Sequence, residues 1–261
     1  MFLKGKIMKY YVSWSGGKDS TATLILAHKY NIPIDKVVIS LPYFDKERGI
    51  YADHPKHIDW VLNTAIPAFN EWGYTIDIVS SDRDYLYWFF KVRGERCRNK
   101  DYVGKYYGWL LGGMCKMNEE KTIPIKKYIK QLGDDYQCIC GIGLDEPERL
   151  ARMHERKQIS LLENFGYTTQ MARELCLQYG LLSPLYEMDR HRQGCWFCPN
   201  ASIREYAKLK QEYPLYWEKL VELNKVQNTV TKGFKYGMTF DQMAQKVDAF
   251  IKSPNQLSLF D

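Results

Sequence analysis

The sequence predicts an α/β protein with a doubly wound parallel sheet, followed by a helical, cysteine-containing C-terminal region. Short β-branched runs alternate with helical patterns along most of the chain, and a glycine loop joins the first run to the first helix. This alternation favours a parallel sheet with helices on both faces. Ligands of such sheets bind beyond the carboxyl ends of the strands, which is where residues 15–20 fall.

The individual elements follow from local patterns. Strands are predicted at residues 10–12, 36–40, 74–80 and 136–142. Helices are predicted from the glycine loop to about residue 30, from about residue 55 to 69, at 121–132 and at 168–179. The helix at 121–132 is expected to start through Pro124 and to stop at Gly133, and residues 145–149 are expected to form an acidic loop. From residue 201 onward the pattern is polar, aromatic and helical.

Length and composition set the broad class of the protein. The 261 residues are 45% hydrophobic and 26% charged, which is ordinary for a globular protein of one large domain, or of one domain with an appendage. Lysine and arginine exceed aspartate and glutamate by 37 to 31, a net charge of +6. This excess fits a nucleotide substrate or a polyanionic partner without requiring either.

The chain shows no sign of export or of membrane insertion. The N-terminus lacks an apolar stretch of signal-peptide length, and the longest aromatic or apolar run, residues 85–90, is far too short to cross a membrane. We therefore expect a cytoplasmic protein. Seven cysteines in such a chain indicate thiols, a metal or a cluster rather than a disulfide framework.

The glycine loop has the chemistry of an anion site. It reads Ser15-Gly16-Gly17-Lys18-Asp19-Ser20 and is called the SGGKDS loop below. Glycines allow a sharp turn close to a ligand, and the first N–H groups of the following helix favour an anion. An ordinary glycine turn is the alternative. The two serine hydroxyls and the lysine favour a phosphate or pyrophosphate, although the spacing is not that of the P-loop of kinases and GTPases.

The cysteines suggest a second site. Cys195 and Cys198 form a CxxC pair, which can bind one metal ion or act as a redox pair. Its position between a basic run and Pro199 favours the metal. The predicted ligand set is Cys115, Cys176, Cys195 and Cys198, with His191 in reserve. Zinc and an iron–sulfur cluster both remain open. Cys138 and Cys140, on a predicted buried strand, are expected to be packing residues.

Several segments together resemble a known family. The SGGKDS loop resembles the SGGxDS signature of the PP-loop ATP pyrophosphatases, and with lysine in the variable position it is most similar to the phosphoadenosine-phosphosulfate (PAPS) reductase branch. The acidic residues after the second strand, the segments 114–124, 141–149 and 184–199, and the order of all of them also resemble that family. The resemblance covers roughly residues 9–200.

The resemblance implies a fold, ligands and residue roles. The fold is adenine nucleotide α-hydrolase-like, and the ligands are ATP or a related adenine nucleotide with Mg²⁺, for which Asp19 or Asp45 is an expected ligand. The expected catalytic residues are Lys18, Asp19, Asp145, Glu146 and Arg149. The expected nucleotide-binding residues are Ser15, Gly16, Gly17, Lys18, Asp19, Ser20, Ser40, Asp45 and Gly141. The expected domains are residues 1–200 with the nucleotide and cysteine sites, a helical extension at 201–252, and a tail at 253–261.

The chain also departs from the reductases. No motif of the Glu-Cys-Gly-x-His type follows Cys198, no adjacent cysteine pair occurs, and Gly143 stands where the family has an arginine. We therefore expect substrate activation by adenylylation, with pyrophosphate release, in nucleic-acid modification or sulfur transfer, with DNA or tRNA as a partner. A sulfonucleotide reductase with its thiol elsewhere, such as Cys97, and a non-catalytic nucleotide sensor are the alternatives.

The C-terminal residues carry a separate motif. Gln256, Leu257, Leu259 and Phe260 lie in the sequence QLSLF, which resembles the peptide by which bacterial DNA proteins bind the replication sliding clamp. A short extended segment with leucine and phenylalanine anchors can fill an apolar groove. The alternative is an amphipathic chain end. The motif predicts the sliding clamp as a partner, and in the sensor alternative it would tether the protein there.

Overall fold

The chain folds into two compact units that alternate along the sequence. The computed structural model describes residues 8–187 and 194–253. The first unit is drawn from Met1–Pro42, Asp53–Ser81 and Lys121–Gln193, and the second from Tyr43–Ala52, Asp82–Glu120 and Gly194–Asp261. The expected domain boundaries at residues 200 and 252 follow chain order and stay a prediction.

The strands in the described residues are short. In chain order they are β1 (Lys9–Ser13), β2 (Lys36–Ser40), β3 (Tyr43–Asp45), β4 (Ile50–Tyr51), β5 (Ile76–Val79), β6 (Tyr106–Gly108), β7 (Tyr136–Cys140), β8 (Ile159–Ser160), β9 (Thr229–Thr231), β10 (Gly233–Lys235) and β11 (Met238–Thr239).

The α-helices are distributed over both units. They are α1 (Lys18–Lys29), α2 (Pro55–Trp60), α3 (Ile66–Glu71), α4 (Tyr85–Phe89), α5 (Met117–Leu132), α6 (Pro147–Glu155), α7 (Leu161–Asn164), α8 (Thr169–Gln178), α9 (Ile203–Glu212), α10 (Pro214–Asn224) and α11 (Phe240–Lys252). A π-helical turn, Val61–Ala65, joins α2 to α3. None of the helices in the described ranges has the length and hydrophobicity that a membrane crossing requires.

The first unit contains the predicted parallel sheet. Its strand order is β5-β2-β1-β7-β8, and every neighbouring pair is parallel. From β1 the chain winds outward through β2 to β5, and later from β7 to β8 on the other side. The order therefore reverses between β1 and β7, and such a switch point opens a crevice at the carboxyl ends of the strands. The predicted α/β fold with a parallel sheet is confirmed.

The core of the first unit explains why these segments form these elements. The β-branched run of β2 is buried at Val37, Val38 and Ile39, as expected for a central parallel strand covered on both faces. Helix α1 is buried along residues 20–27, because α7, α8 and the sheet pack around it. The sheet and α1 together therefore give the loop between β1 and α1 a rigid support.

The second unit is built around aromatic side chains. Trp109, Phe234 and Phe240 are at most 4% exposed, and the ring centroids of Trp109 and Phe234 lie 4.7 Å apart in an edge-to-face arrangement. Helices α9, α10 and α11 agree with the helical pattern expected after residue 201. The three small two-stranded sheets, β3-β4, β6-β9 and β10-β11, were not predicted.

Two expectations near the first unit's sheet are wrong in detail. Helix α5 starts at Met117 and carries Pro124 in its interior, although proline removes one N–H from the helical hydrogen-bond ladder. The expected acidic loop at 145–149 is wrong for its last three residues, because helix α6 begins at Pro147. Proline is well suited to that first position because its missing N–H has no partner within the helix.

Candidate functional site

The SGGKDS loop lies at the carboxyl end of β1 and leads directly into α1. Gly16 has a φ of 76°, a conformation that favours glycine, and Gly17 is the N-cap of α1 without a side-chain capping bond. The loop therefore presents backbone N–H groups and the positive end of a helix dipole at the end of the central strand. This is the local geometry that anion sites use.

The two serines of the loop hold it in shape. The Ser20 hydroxyl donates to the Gly17 carbonyl oxygen at 3.1 Å and accepts from the Ser15 backbone N–H at 3.2 Å. The two serine hydroxyl oxygens lie 3.0 Å apart, and the Ser15 hydroxyl also accepts from the Gly17 N–H at 3.3 Å. The Ser15 and Gly17 N–H groups are therefore already hydrogen-bonded to serine oxygens, and an anion bound here would replace those oxygens as their acceptor.

Lys18 and Asp19 form an ion pair at the start of α1. The Lys18 Nζ and Asp19 Oδ1 atoms are 2.6 Å apart, and both side chains are less than a quarter exposed. Desolvation by burial raises the pKa of Asp19, while the contact with Lys18 acts in the opposite direction and Glu146 adds to the rise. The loop therefore holds a lysine whose charge is only partly compensated by its neighbour.

Gly141 brings the end of β7 against the loop. A Cβ atom at this position would lie 2.6 Å from both the Asp19 carbonyl carbon and the Ser20 nitrogen, closer than real Cβ contacts occur. Only glycine therefore lets the strand end approach the first turn of α1. The SGGKDS loop and Gly141 meet at the switch point between β1 and β7, as the sequence predicts.

A cavity of about 630 Å³ opens beside this contact, and all of its lining residues belong to the first unit. Its walls include Ser15 and Ser20 of the loop, Gly141, and residues of α5. One face of α6 adds three guanidinium groups, from Arg149, Arg152 and Arg156. A volume of this size is within the usual range for small-molecule sites, and the arginine wall favours a ligand with several negative charges.

Two of the three acidic residues predicted as catalytic, Asp145 and Glu146, bind neighbouring parts of the chain. Asp145 accepts hydrogen bonds from the Thr169 N–H and hydroxyl, both at 2.7 Å. Partial desolvation opposes these bonds, but the net effect is a lowered pKa of Asp145. Glu146 accepts from the Gly143 N–H at 3.1 Å and pairs with Arg149. Both carboxylates therefore position the segment between β7 and α8.

Ser40 and Asp45, which were also predicted to bind the nucleotide, lie in different units of the structure. Ser40 ends β2, next to β1, and its buried hydroxyl oxygen has no hydrogen-bond partner within the described chain. An orphaned hydroxyl at the carboxyl edge of the sheet fits a residue that contacts a ligand. Asp45 belongs to the second unit, where its carboxylate accepts from the Arg48 backbone N–H at 3.1 Å and from the Arg48 guanidinium at 3.0 Å. Its contacts are those of a turn-forming residue.

Cys176 has a role other than the predicted one. It lies on α8 in the first unit, is fully buried, and its sulfur donates to the Lys18 carbonyl oxygen at 3.2 Å. Burial raises the pKa of this thiol to about 12, which disfavours the thiolate that a metal needs. The structure therefore gives Cys176 a supporting role beneath the loop in place of metal ligation.

The other three predicted metal ligands belong to the second unit. Cys115, Cys195 and Cys198 all lie close enough to the buried Tyr85 to raise its pKa further, although burial is the main cause. Burial also raises the pKa of Cys115, and Cys198 adds to that rise. The described residues contain no group of three or more His, Cys, Asp or Glu side chains arranged to hold a metal ion. These three thiols therefore do not fit a four-ligand zinc or iron–sulfur site by themselves.

Some predicted residues fall outside the described ranges. His191 and the four clamp-motif residues, Gln256, Leu257, Leu259 and Phe260, are among them. Their roles stay predictions.

Sequence reasoning missed several residues of the site. Arg152 and Arg156 line the cavity, and their spacing from Arg149 puts all three on one helical face. That spacing was a usable signal, but the expected loop covered residues 145–149 only, and no element was predicted for the residues that hold Arg152 and Arg156. The Tyr186 hydroxyl accepts from the Lys18 N–H at 3.2 Å across 168 residues of sequence. No local pattern predicts such a contact.

Comparison with known proteins gives limited information. No family model matches the chain. Two uncharacterised proteins of Methanocaldococcus jannaschii are similar to it: MJ0066 is 29% identical over 221 residues, and MJ0973 is 24% identical over 229 residues. The alignments cover 80% and 85% of this chain but only 40% and 49% of those proteins, so the chain spans less than half the length of either relative.

One solved structure was also found to be similar. It is the U34-tRNA thiolase NcsA from Methanococcus maripaludis with its [4Fe-4S] cluster, at 15% identity and a TM-score of 0.38, covering 96% of this chain and 75% of that one. This likeness is too low to carry an argument about fold or function. The description of the site therefore depends on the chain's own residues.

Proposed function

We propose that the chain binds ATP or a related adenine nucleotide in the cavity at the β1/β7 switch point and activates a substrate by adenylylation, with release of pyrophosphate. The observation that carries this proposal is that Ser15 and Ser20 of the SGGKDS loop, Gly141 and three arginines line one cavity of about 630 Å³. Loop and arginines together offer donors on two sides of a polyphosphate. The resemblance of the loop to the PP-loop signature identifies the expected bond as that between the α and β phosphates.

In this proposal the SGGKDS loop stabilises the pyrophosphate as it leaves. Its backbone N–H groups and the Ser15 and Ser20 hydroxyls are held in place before a ligand binds. Preorganised donors aimed at developing negative charge lower the barrier because they need no reorganisation during the reaction. The ammonium of Lys18 lies at the helix N-terminus in an ion pair with Asp19, so it would act on the phosphates by exchanging that carboxylate for a phosphate oxygen.

The arginine face supplies binding and orientation. Arg149 and Arg152 lie on α6 and Arg156 is its C-cap residue, so the helix brings all three side chains to the cavity wall. Guanidinium groups bind phosphate oxygens in a bidentate manner, which fixes direction as well as affinity. The orphaned hydroxyl of Ser40 is an available partner for a further polar group of the nucleotide. Mg²⁺ would supply further neutralisation of the phosphates when bound, with Asp19 as the ligand within the loop.

The acceptor of the adenylyl group is proposed to be a nucleic acid, DNA or tRNA, or a sulfur-transfer substrate. The support is the net charge of +6 and the absence of the reductase motif after Cys198. The second unit contains a group of three cysteines, Cys115, Cys195 and Cys198. We propose that this group either stabilises the unit or takes part in sulfur transfer.

Nucleotide binding is testable without knowing the acceptor. A ligand that binds only the folded state raises the melting temperature with concentration. ATP should therefore stabilise the purified chain, and Arg152→Ala should weaken ATP binding about tenfold or more, the usual effect of losing a charged hydrogen bond. Lys29→Ala, at the opposite end of α1 from Lys18, is the matched control that should bind ATP as the wild type does.

The reaction itself is tested by product analysis. Incubation with ATP and either DNA or tRNA should release pyrophosphate, and Lys18→Ala should lose that release while Lys29→Ala keeps it. Release of phosphate and ADP alone, or pyrophosphate release that persists in Lys18→Ala, would contradict the proposal. Release of sulfite from phosphoadenosine phosphosulfate with thioredoxin would instead favour a reductase.

A further inference from the structure

Two thiols lie in the wall of the cavity beside the SGGKDS loop. Cys138 and Cys140 are alternate residues of β7, and alternate residues of a strand point to the same face of a sheet. Both line the cavity, together with Ser15 and Ser20 of the loop. Their sulfur atoms are 3.5 Å apart, within hydrogen-bond contact for sulfur.

The surroundings make the two thiols unequal. The hydrogen bond from Cys140 lowers the pKa of Cys138, with help from the Tyr11 hydroxyl and the Ser13 N–H, and burial opposes this only in part. The same hydrogen bond and burial raise the pKa of Cys140, while Arg149 and Arg156 act in the opposite direction. Burial also raises the pKa of Tyr11, which keeps its phenol protonated as a donor. The contact between the two sulfurs therefore favours one thiolate and one thiol within the pair.

These features differ from those of ordinary packing cysteines. A packing cysteine lies among apolar groups, and its burial raises its thiol pKa, as it does for Cys176. Cys138, at 8% exposure, and Cys140, which packs against Ile142, Leu150 and Met153, are largely buried too, but both also line the cavity, with two arginines close to Cys140. Positive charge and access are the conditions under which thiolates react.

We propose that Cys138 and Cys140 form a redox-active dithiol that reacts with a small disulfide entering the cavity. The ligand class is a low-molecular-weight disulfide of the glutathione type. This site is additional to nucleotide binding and does not depend on it, since the reaction needs only access of the disulfide to the two sulfurs.

The reaction balances as an ordinary exchange of two thiols with one disulfide. The Cys138 thiolate attacks one sulfur of the small disulfide, which breaks its S–S bond and releases one thiolate. The Cys140 thiol then loses its proton, and its sulfur attacks the Cys138 sulfur of the mixed disulfide, which releases the second thiolate. The protein is oxidised by two electrons to the Cys138–Cys140 disulfide, and the small disulfide is reduced to two thiols.

The backbone geometry predicts that this disulfide is easily reduced. Alternate residues of an extended strand have Cα atoms about 6.6–6.8 Å apart, at the upper limit of the range that disulfides span. Closing the bond therefore needs a local adjustment of β7. Bonds formed under such constraint are the labile ones, which suits a reversible redox pair rather than a structural link.

A peptide map of the native protein tests the proposal directly. Both cysteines, and no others, lie in the tryptic peptide of residues 131–149. After treatment with oxidised glutathione and without any nucleotide, this peptide should lose two hydrogen atoms in mass. Dithiothreitol should restore them.

Single variants test the order of the steps. Cys140→Ser should retain a stable glutathione adduct on Cys138, because the resolving sulfur is absent. Cys138→Ser should form no disulfide within this peptide, and any glutathione adduct on Cys140 should persist because no second thiol is present to displace it. Cys97→Ser, which removes a cysteine of the second unit, should leave the oxidation of residues 131–149 unchanged.

Two results would overturn the proposal: no intramolecular disulfide in the wild-type peptide, or a loss of two hydrogen atoms from this peptide that persists when either cysteine is replaced by serine. If circular dichroism shows that a serine variant does not fold, the peptide map of the wild-type protein is the deciding measurement. Since no nucleotide is present, failure of the dithiol leaves the nucleotide proposal untouched, and failure of ATP to stabilise the protein leaves the peptide result untouched.

Discussion

The two compact units use their polar and aromatic side chains in different ways. In the first, charged and hydroxyl groups gather at the carboxyl edge of a parallel sheet around a cavity, and glycine permits the closest backbone approach. In the second, large rings such as Trp109, Phe234 and Phe240 fill a core bordered by short strand pairs. The first unit therefore has the features of a ligand site, whereas we expect the stability of the second unit to depend mainly on aromatic packing.

The largest effect is expected in the aromatic core of the second unit. Phe234→Ala should lower the free energy of unfolding by about 3–5 kcal/mol, because the ring is 2% exposed and packs against Trp109 and Phe240. Chemical denaturation measures the loss. Tyr236→Ala, an aromatic residue that follows the same strand but is 63% exposed, should change stability by less than about 0.5 kcal/mol. Equal losses of stability in the two variants would show that burial does not determine how much each ring contributes.

The next effect concerns the backbone contact in the first unit. Gly141→Ala should cost about 1–3 kcal/mol of stability and weaken ATP binding about tenfold or more, because the new methyl group collides with the backbone of Asp19 and Ser20. Denaturation and calorimetric titration measure the two losses. Gly94→Ala is the matched control, since a Cβ there meets nothing within 4 Å. Unchanged ATP affinity in Gly141→Ala would show that the contact between Gly141 and the loop is not needed for ATP binding.

The sequence predicted the first unit better than the second, for physical reasons. Strand β2 matches its predicted range, Lys36–Ser40, because a parallel strand buried on both faces is a continuous β-branched run. The SGGKDS loop was found because its chemistry is local. The β6-β9 pair of the second unit was missed because its strands lie more than 100 residues apart in sequence, and the local pairs β3-β4 and β10-β11 were missed because their strands are only two or three residues long. Pairing at such a distance leaves no periodic signal in either short segment.

The candidate site shows the same division between local and distant information. The loop residues and Gly141 were predicted and lie together, whereas Tyr186 reaches the loop through tertiary structure alone. Cys176 was assigned to a metal because of its spacing from Cys195, but its placement on α8 directs its sulfur to the Lys18 carbonyl. Spacing along the chain could not separate these two outcomes, because residues of both units alternate in sequence.

A smaller effect is expected at a helix start in the second unit. Thr239 caps α11 with a capping box, in which its side chain accepts from the Gln242 N–H and the Gln242 side chain accepts from the Thr239 N–H. Thr239→Ala should lower the free energy of unfolding by about 1 kcal/mol. Thr239→Ser keeps the hydroxyl and should retain most of that stability. A loss as large as that of Phe234→Ala would mean that helix capping rivals ring packing in this unit.

The smallest effect is a pH dependence of the first unit, which tests whether desolvation governs the charges around the loop. Burial raises the pKa of Asp19 above its ordinary value of 3.8, so the folded state holds this proton at a pH where the unfolded state has lost it. The contribution of Asp19 to stability is therefore complete at low pH and is lost as pH rises through the raised value. Denaturation at a series of pH values should show this slope in the wild type, and Asp19→Asn should remove it.

Asp145 provides the control of opposite sign. Its pKa is lowered, against partial desolvation, by the two hydrogen bonds from Thr169, so its contribution is present above its unfolded pKa and is lost as pH falls through the lowered value. Asp145→Asn should therefore remove a slope that runs in the direction opposite to that of Asp19. If both variants changed the pH profile in the same direction, general charge repulsion would be the cause, because local burial and local hydrogen bonding act on these two carboxylates with opposite signs.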